Sequence, residues 1–205
     1  MPFNTSGAGV KMVPSMRQSK VFRYANHYDT EVVELMFEGD VLAMYVLLPG
    51  VNSSLVQLLE FLNDTQGHPI HPLESLLDDL EEKYVALTLP RFTIETGSVD
   101  LVEPLTSLGL RKLFDPVLAD FSRISDANMH VQSVKQKSYI QVNEDGCVAA
   151  AVTVVGKALI GGLSGEVWLD VNRPFLFIIR DTNVKATLFM GAFLGQTRSD
   201  TFQTK

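Results

Sequence analysis

The chain has 205 residues, of which 46% are hydrophobic and 20% are charged, a balance typical of a globular domain long enough to bury a core. Its formal net charge of −7 argues against a nucleic-acid or anionic-membrane partner, because either would favour a clustered basic face. No apolar run reaches the roughly 18 residues of a membrane-spanning helix, so the sequence predicts none.

The first predicted element is a β-hairpin. Apolar side chains alternate through Val33, Leu35 and Phe37, and the run VLAMYVLLP follows a few residues later. A turn at Gly39-Asp40 separates the two runs. Two apolar runs joined by a short Gly-Asp turn are typical of a hairpin.

Two helices are predicted next. Ser53 or Ser54 can cap a helix whose leucines recur at three- and four-residue spacing, namely Leu55, Leu58, Leu59 and Leu62. Pro72 favours the start of a second helix. We expect its apolar stripe to continue as far as Tyr84.

Strand character returns at YVALTLPRFTIET, where Pro90 predicts a bulge or kink because it cannot donate to a sheet ladder. Asp100 with Glu103 then indicates a capping box for a third helix, and Gly109 indicates its C-terminal cap. The stripe that we expect this helix to bury consists of Leu101, Leu105 and Leu108.

The rest of the chain predicts mostly strands, in HVQSVKQKSYIQVNE, EVWLDV, PFLFIIRDT and ATLFMGAFL. The last two are nearly continuous apolar runs around Thr182-Asn183, which predicts a hairpin buried on both faces. Strands, then helices, then strands without regular βαβ alternation indicate an α+β fold. No linker divides the chain, so we expect one domain over residues 1–205.

Cellular location is indicated only indirectly. Cys147 is the only cysteine, so no internal disulfide can form, and the start MPFNTSGAGV lacks the features of a signal peptide. Three acceptor sites for N-glycosylation nevertheless begin at Asn4, Asn52 and Asn63. They favour an extracellular glycoprotein, and a cytoplasmic protein is the alternative.

Motifs that would support an enzyme are incomplete. Gly156 and Gly161 have the spacing of a phosphate-binding loop, but Gly162 replaces the required lysine. Ser164 is one residue out of register for a nucleophile elbow. The two histidines of GHPIHP have no acid cluster nearby, which favours an exposed loop over a metal site. We therefore predict no enzymatic activity, no metal and no cofactor.

One segment stands apart from these ordinary elements. The stretch VNEDGCVAAAVTVV, residues 142–155, has the composition of a strand but unusually small side chains. It leads into a long run from Gly146 to Gly165 in which Lys157 is the only charged residue. Loops longer than about 12–15 residues are usually functional. The alternative is a plain buried strand followed by a glycine-rich turn.

These motifs together resemble the serpins, the serine-protease-inhibitor family. VNEDGCVAAAV resembles the hinge of the serpin reactive-centre loop, and LDVNRPFLFII, residues 169–179, resembles the family's C-terminal signature. VLAMYVLLP, LPRFTIET, DLVEPLTSLGLRKLFDPVLADFSRIS and ATLFMGAFL resemble further parts of the fold, in the family's order. The resemblance implies multi-stranded sheets with helices and an exposed reactive-centre loop.

The resemblance also implies a mechanism. In serpins a protease cuts the loop, and the N-terminal part of the loop then inserts as a strand into the main sheet while the protease stays covalently attached. The implied partner is a serine protease, and the inhibitor, if complete, is expected to be a monomer. The implied hinge residues are Glu144, Gly146, Cys147, Ala149, Ala150 and Ala151.

Two counts place the bond that is cut. Counting seventeen residues with Glu144 as the first gives Ile160–Gly161, which we prefer, whereas counting back from the C-terminal signature gives about Leu163. Leu159, Ile160 and Gly161 favour a chymotrypsin- or elastase-like protease, whereas cleavage after Lys157 would favour a trypsin-like one. The alternative bait residues are Lys157, Leu159 and Leu163.

The sequence departs from the family pattern in two respects. Cys147 stands where serpins usually have threonine or serine, and Val148 where they often have glutamate. The chain also resembles roughly the C-terminal portion of the domain, so we expect the N-terminal half of the fold to be absent, and with it a signal peptide. These departures support the alternative of a non-inhibitory carrier, chaperone or scaffold, or an inactive truncated form.

Overall fold

A computed structural model describes residues 1–5, 9–64, 71–144 and 166–195. The chain forms two compact units, one made of Met1–Phe92 together with Gln141–Lys205, and the other of Thr93–Ile140. Among the described residues, no helix is long and apolar enough to cross a membrane.

The first unit is built on a seven-stranded sheet. In spatial order its strands are β11 (Glu166–Asp170), β6 (Glu81–Pro90), β3 (Ser15–His27), β4 (Thr30–Met36), β5 (Leu42–Pro49), β12 (Phe175–Asp181) and β13 (Thr187–Phe193). Neighbours are antiparallel except β11, which runs parallel to β6. A separate antiparallel pair joins β1 (Pro2–Thr5) to β2 (Gly9–Met12).

The hairpin predicted over residues 33–49 is confirmed, since β4 and β5 pair with Val33 opposite Val46. Its turn contains Gly39 and Asp40 at φ angles of 88° and 55°. Glycine reaches this left-handed region without strain, and aspartate tolerates it better than most side chains. The turn chemistry therefore fixes the register that buries both strands.

The first predicted helix is also present, as α1 (Leu55–Asn63), and it begins with a capping box. The Ser54 side chain accepts a hydrogen bond from the Gln57 backbone N–H, and the Gln57 side chain accepts one from the Ser54 backbone N–H. Leu58 is buried in a cluster with sheet residues such as Val32. Helix α1 therefore packs on the sheet through a narrow apolar stripe.

The second helix, α2 (Pro72–Asp78), is shorter than the sequence predicted. The expected stripe ran on to Tyr84, but Tyr84 lies in β6, opposite Val21 of β3. The pairing of β6 with β3 extends from Glu81 to Pro90. This ladder and the burial of Val85, Leu87 and Leu89 in β6 outweigh the helical spacing of the leucines.

The opposite face of the sheet buries five aromatic rings. The centroids of neighbouring rings lie 5.1–5.8 Å apart, in a cluster formed by Phe3, Phe92, Phe175, Phe177 and Phe193. A Cβ atom at Gly191 would lie 2.5 Å from Cζ of Phe177. Glycine is therefore required at this position of β13, because the ring packs directly over its backbone.

The prediction that the final hairpin is buried on both faces is wrong for its second strand. β12 is largely buried, whereas Leu188, Phe189 and Met190 of β13 are 52%, 43% and 53% exposed. β13 lies at one edge of the sheet. Its apolar sequence indicates burial, but burial depends on a covering layer that the described residues do not provide.

Pro90, where the sequence predicted a bulge or kink, is the last residue of β6. β6 stops at Pro90, and one residue, Arg91, separates it from β7 (Phe92–Glu95). The Arg91 backbone N–H donates to the Pro14 carbonyl at 2.9 Å. β7 then forms a two-stranded sheet with β10 (Tyr139–Val142).

The second unit contains α3 (Val102–Ser107), a 3-10 turn and the strand pair β8 (Val99–Asp100) and β9 (Lys135–Gln136). The predicted capping box is wrong in detail, because Leu101 is the N-cap and makes no side-chain cap hydrogen bond. Asp100 still accepts the Val102 backbone N–H at 2.9 Å. Asp100, one residue before the N-cap, therefore accepts one of the backbone N–H groups that have no partner within the helix.

The C-terminal cap of α3 is confirmed, but its buried stripe is not. Gly109 has a φ of 101°, and the Leu110 N–H donates to the Leu105 carbonyl at 3.0 Å, the pattern of a Schellman motif. No residue of α3 is buried, and Leu108 is 81% exposed. Leu101 and Leu105 are each partly buried, so the stripe is covered only in part.

Candidate functional site

The predicted reactive-centre loop, here called the bait segment, comprises residues 145–165 and connects β10 to β11. It lies outside the described residues, and so do most of the predicted site residues: Gly146, Cys147, Ala149, Ala150, Ala151, Lys157, Leu159, Ile160, Gly161 and Leu163. The structure describes the two points at which the segment is attached, Glu144 before it and Glu166 after it.

The entry point is held by an ion pair that the sequence did not predict. Glu144, the first predicted hinge residue, accepts a hydrogen bond from the Arg91 guanidinium through Oε1. Two residues earlier, Val142 is buried. The backbone of Arg91 is in turn bound to Pro14. The bait segment therefore begins at a defined position next to the end of β6.

The Arg91–Glu144 pair should contribute little to stability. Replacing Arg91 with alanine is expected to lower the free energy of unfolding by less than about 1 kcal/mol, because both side chains are 50% exposed and water screens the charges. Urea denaturation of the variant beside Glu144→Gln measures the effect. A loss above about 2 kcal/mol would contradict this reading of an exposed pair.

The exit point is fixed more firmly, by the parallel pairing of β11 with β6. Leu169 lies opposite Leu87 in this ladder and is fully buried. The chain remains on the edge of the sheet after β11, since the Val171 N–H donates to the Thr88 carbonyl at 2.9 Å. The register of β11 is thus determined by burial on one face.

The residues of the predicted C-terminal signature tie the exit to distant parts of the first unit. Arg173 Nε donates to the Pro49 carbonyl at 2.6 Å, and its Nη2 donates to Glu31 Oε2 at 3.4 Å. The Asn172 carbonyl accepts the Asn4 backbone N–H at 2.7 Å. These contacts link the connection between β11 and β12 to β1, β4 and the end of β5.

Glu31 is a second anchor residue that the sequence analysis missed. It binds Arg173 and also accepts a hydrogen bond from the Tyr24 hydroxyl at 2.9 Å. Burial, followed by the charge of Glu31, raises the pKa of Tyr24 well above its usual value. The phenol therefore stays protonated and keeps donating to the carboxylate. No local motif marks Glu31, because Arg173 is 142 residues away along the chain.

The three predicted glycosylation asparagines all lie at accessible positions. Asn4 is in β1, Asn52 is in the turn before α1, and Asn63 is the last residue of α1. Each of the three is exposed. A glycan attached at any of them would extend into solvent rather than displace core side chains.

Other polar residues considered in the sequence have structural contacts. His71, the second histidine of GHPIHP, accepts the Leu73 backbone N–H through Nδ1 at 3.2 Å and so caps α2. Within residues 1–5, 9–64, 71–144 and 166–195, no three histidine, cysteine, aspartate or glutamate side chains are grouped so that they could hold a metal ion.

Comparison with known proteins places this arrangement in a family. Residues 1–195 match the family described as serpin, serine protease inhibitor. The chain is 34% identical over 185 residues to glia-derived nexin of Rattus norvegicus, covering 87% of this chain and 44% of the nexin. It is 30% identical over 197 residues to plasminogen activator inhibitor 1 of Neovison vison, covering 92% of this chain and 46% of that protein.

A solved structure gives the same result. The crystal structure of uncleaved ovalbumin matches with a TM-score of 0.76 at 26% identity, covering 96% of this chain and 48% of the ovalbumin chain. The chain therefore spans less than half the length of these relatives. Both the family match and the shared fold agree with the predicted resemblance, and the chain belongs to the serpin family.

Proposed function

We propose that the protein inhibits serine endopeptidases by offering the bait segment for cleavage and trapping the enzyme on it. The observation that carries this proposal is the composition of residues 146–155, which are small and uncharged and follow β10 after three intervening residues. A segment of this kind can add beside a strand without clashes. Membership of the serpin family supports the same role.

The trapping chemistry begins as ordinary acyl transfer. The protease serine Oγ attacks the carbonyl carbon of Ile160, the C–N bond to Gly161 breaks, and the leaving amine takes a proton from the enzyme's histidine. An ester then joins Ile160 to the serine. Insertion of residues 146–155 as a new strand beside β10 carries the enzyme away before water hydrolyses the ester.

The absence of charge in this stretch is what insertion requires. A buried charge without a partner costs several kcal/mol, and the run from Val148 to Val155 has no charged residue. Gly146 gives the backbone freedom at the point where the chain must fold back. Glu144, at the attachment point, and Asp145 are the last charged residues before Gly146.

The bait residue sets the class of protease. Ile160, with Leu159 before it, suits the apolar pocket of a chymotrypsin- or elastase-like enzyme. Cleavage after Lys157 would indicate a trypsin-like target instead, and cleavage after Leu163 would support the count from the C-terminal signature. All three residues lie in the same segment, so the N-terminal sequence of the released fragment shows which of the three bonds is cut.

The test is to incubate the protein with elastase and, separately, with chymotrypsin. We expect a band that survives boiling in SDS at the summed mass of the protein and the protease. The N-terminal sequence of the released peptide should begin at Gly161. Cleavage outside residues 145–165, or cleavage in the segment without any stable complex, would contradict the inhibitory function.

A non-inhibitory serpin is the second candidate, and two residues favour it. Cys147 replaces the usual threonine or serine of the hinge, and Val148 replaces the frequent glutamate. Cysteine is small and compatible with a core, so insertion should tolerate it. A chain that is cut at Ile160–Gly161 and forms no complex would assign the protein to this second class, as a carrier, chaperone or scaffold.

We also propose that the protein is an extracellular glycoprotein, because Asn4, Asn52 and Asn63 are exposed acceptor sites. Fused to a signal peptide and expressed in a secreting eukaryotic cell, it should lose about 2–3 kDa per occupied site on treatment with peptide N-glycosidase F. Each asparagine-to-glutamine variant should remove one such step. An unchanged mass in the parent protein would contradict this proposal.

A further inference from the structure

A surface cavity of the first unit lies where β1, the end of β5, the start of α1 and the connection between β11 and β12 meet. Its volume is about 370 Å³, which is within the range of pockets that hold small molecules. Pro49, Leu55 and Pro174 form apolar parts of its wall, and Ser53 and Asn172 add a hydroxyl and an amide. A wall of this mixed kind suits a ligand that has both an apolar face and hydroxyl groups.

Asn4 is both a predicted glycosylation site and part of the wall of this cavity. Its backbone N–H donates to the carbonyl of Asn172 at 2.7 Å, and in the β1–β2 ladder Asn4 lies opposite Val10. Asn172 lines the same cavity. A sugar linked to Nδ2 of Asn4 would therefore start at the cavity wall, from a backbone whose position is fixed against that wall.

The charges around the cavity favour a neutral ligand over an anion. Arg173 is the only charged residue among the described residues that line it, and its Nη2 already donates to Glu31 Oε2 at 3.4 Å, so an anion would compete with that carboxylate. Nε and Nη1 of Arg173 donate to the Pro49 carbonyl and to Asn172 Oδ1, which orients the guanidinium. The N–H groups beyond these three bonds can donate to a hydroxyl or acetamido oxygen of a sugar.

Covalent attachment makes even weak binding in this cavity effective. A sugar on Asn4 meets the cavity within the same molecule, at an effective concentration set by the length of one side chain rather than by its concentration in solution. Its free translation is already lost in the glycoprotein, so most of the entropic cost of association does not apply. The cavity is open to solvent, so the first sugar can enter it without displacing core side chains while later sugars extend outward.

We propose that the cavity is the binding site for the first N-acetylglucosamine of a glycan attached to Asn4. The inference rests on the proposed glycosylation of Asn4, and it is independent of the bait segment. It adds that contacts with α1 and with the connection between β11 and β12 hold this sugar, so that the sugar stabilises the fold. A sugar at Asn63, which lies at the other end of α1 and outside this cavity, should lack such contacts.

The first test is the rate at which peptide N-glycosidase F releases the glycan from the folded protein. The protein is fused to a signal peptide and secreted by a eukaryotic cell, in two variants that each keep one site. Asn52→Gln with Asn63→Gln keeps Asn4, and Asn4→Gln with Asn52→Gln keeps Asn63. Because the enzyme acts only on the undocked fraction, we expect release from Asn4 to be slower than from Asn63 by about tenfold or more, equivalent to about 1.4 kcal/mol. The two rates should become equal after denaturation.

The second test isolates the first sugar. Endoglycosidase H trims a high-mannose glycan to a single N-acetylglucosamine, and each trimmed variant is compared with the same polypeptide made in bacteria without sugar. At Asn4 the single sugar should raise the melting temperature by about 2 °C or more, because it adds contacts that exist only in the folded state. At Asn63, the matched control, the shift should be less than about 1 °C.

Equal release from Asn4 and Asn63 in the folded protein would overturn this inference and leave the glycosylation of Asn4 intact. Slow release at Asn4 without a higher melting temperature would also overturn it, because β1 alone would then shield the bond. If the protein secreted with only Asn4 available carries no glycan, the proposed glycosylation of Asn4 and this inference fail together, whereas the proposed trapping of a protease is unaffected.

Discussion

Replacing Ala149 with arginine should reduce the SDS-stable protease complex to less than about a tenth of its parent level while the bait segment is still cut. Serpins often have glutamate at the position of Val148, so that side chain is expected to face solvent after insertion. The two-residue period of a strand then points Cys147, Ala149 and Ala151 into the protein. An arginine at Ala149 would be buried without a partner, at a cost of several kcal/mol.

The matched control is Ala150→Arg, one residue further on. The same period places Ala150 on the solvent side of the inserted strand, so this variant should retain most of the complex. The two variants have the same composition and charge, and they differ only in the face that receives the arginine. Equal trapping by Ala149→Arg and the parent would show that the segment does not insert as proposed.

Replacing Phe175 with alanine should lower the free energy of unfolding by about 3–5 kcal/mol. Phe175 is fully buried, and its ring centroid lies 5.8 Å from that of Phe92 and 5.5 Å from that of Phe193. Removing the ring loses its transfer free energy and leaves a cavity among aromatic rings that cannot collapse freely.

Phe189→Ala on β13 is the control for Phe175→Ala, because Phe189 is 43% exposed and the chemical change is identical. Its expected loss is about 1 kcal/mol or less, in proportion to the smaller buried area. Urea denaturation of both variants measures the difference. Equal losses would mean that the aromatic cluster is not the core of the first unit.

Local signals predicted much of the fold. The turn at Gly39-Asp40 and a helix cap at Ser53 or Ser54 could be predicted because both depend on backbone chemistry within a few residues. The predicted extension of the second helix to Tyr84 is wrong because the structure at Tyr84 depends on distant residues. Tyr84 lies in β6, where pairing with β3 across more than sixty intervening residues decides the conformation.

Burial was harder to predict than element type. The runs PFLFIIRDT and ATLFMGAFL look equally apolar, yet β12 is buried and β13 is exposed at the sheet edge. Leu108 likewise has the spacing of a buried stripe and lies in solvent. The spacing of apolar residues predicts which face of an element can be buried. Whether another element packs on that face depends on the tertiary structure.

The sequence predicted the bait segment of the candidate site but not the contacts that hold its two ends. The unusual composition of residues 146–155 is a local feature and is visible in the sequence. The contacts that position its two ends join Arg91 to Glu144 and Arg173 to Glu31, separated by 53 and 142 residues. No short motif indicates such pairs.

The central claim is that the bait segment inserts as a strand once it is cut, and thermal unfolding before and after limited cleavage by elastase tests it most directly. Insertion should raise the melting temperature by about 20 °C or more, which for a chain of this size corresponds to at least about 5 kcal/mol of added stability. An unchanged melting temperature, or an earlier and broader transition after cleavage, would contradict insertion and with it the proposed trap.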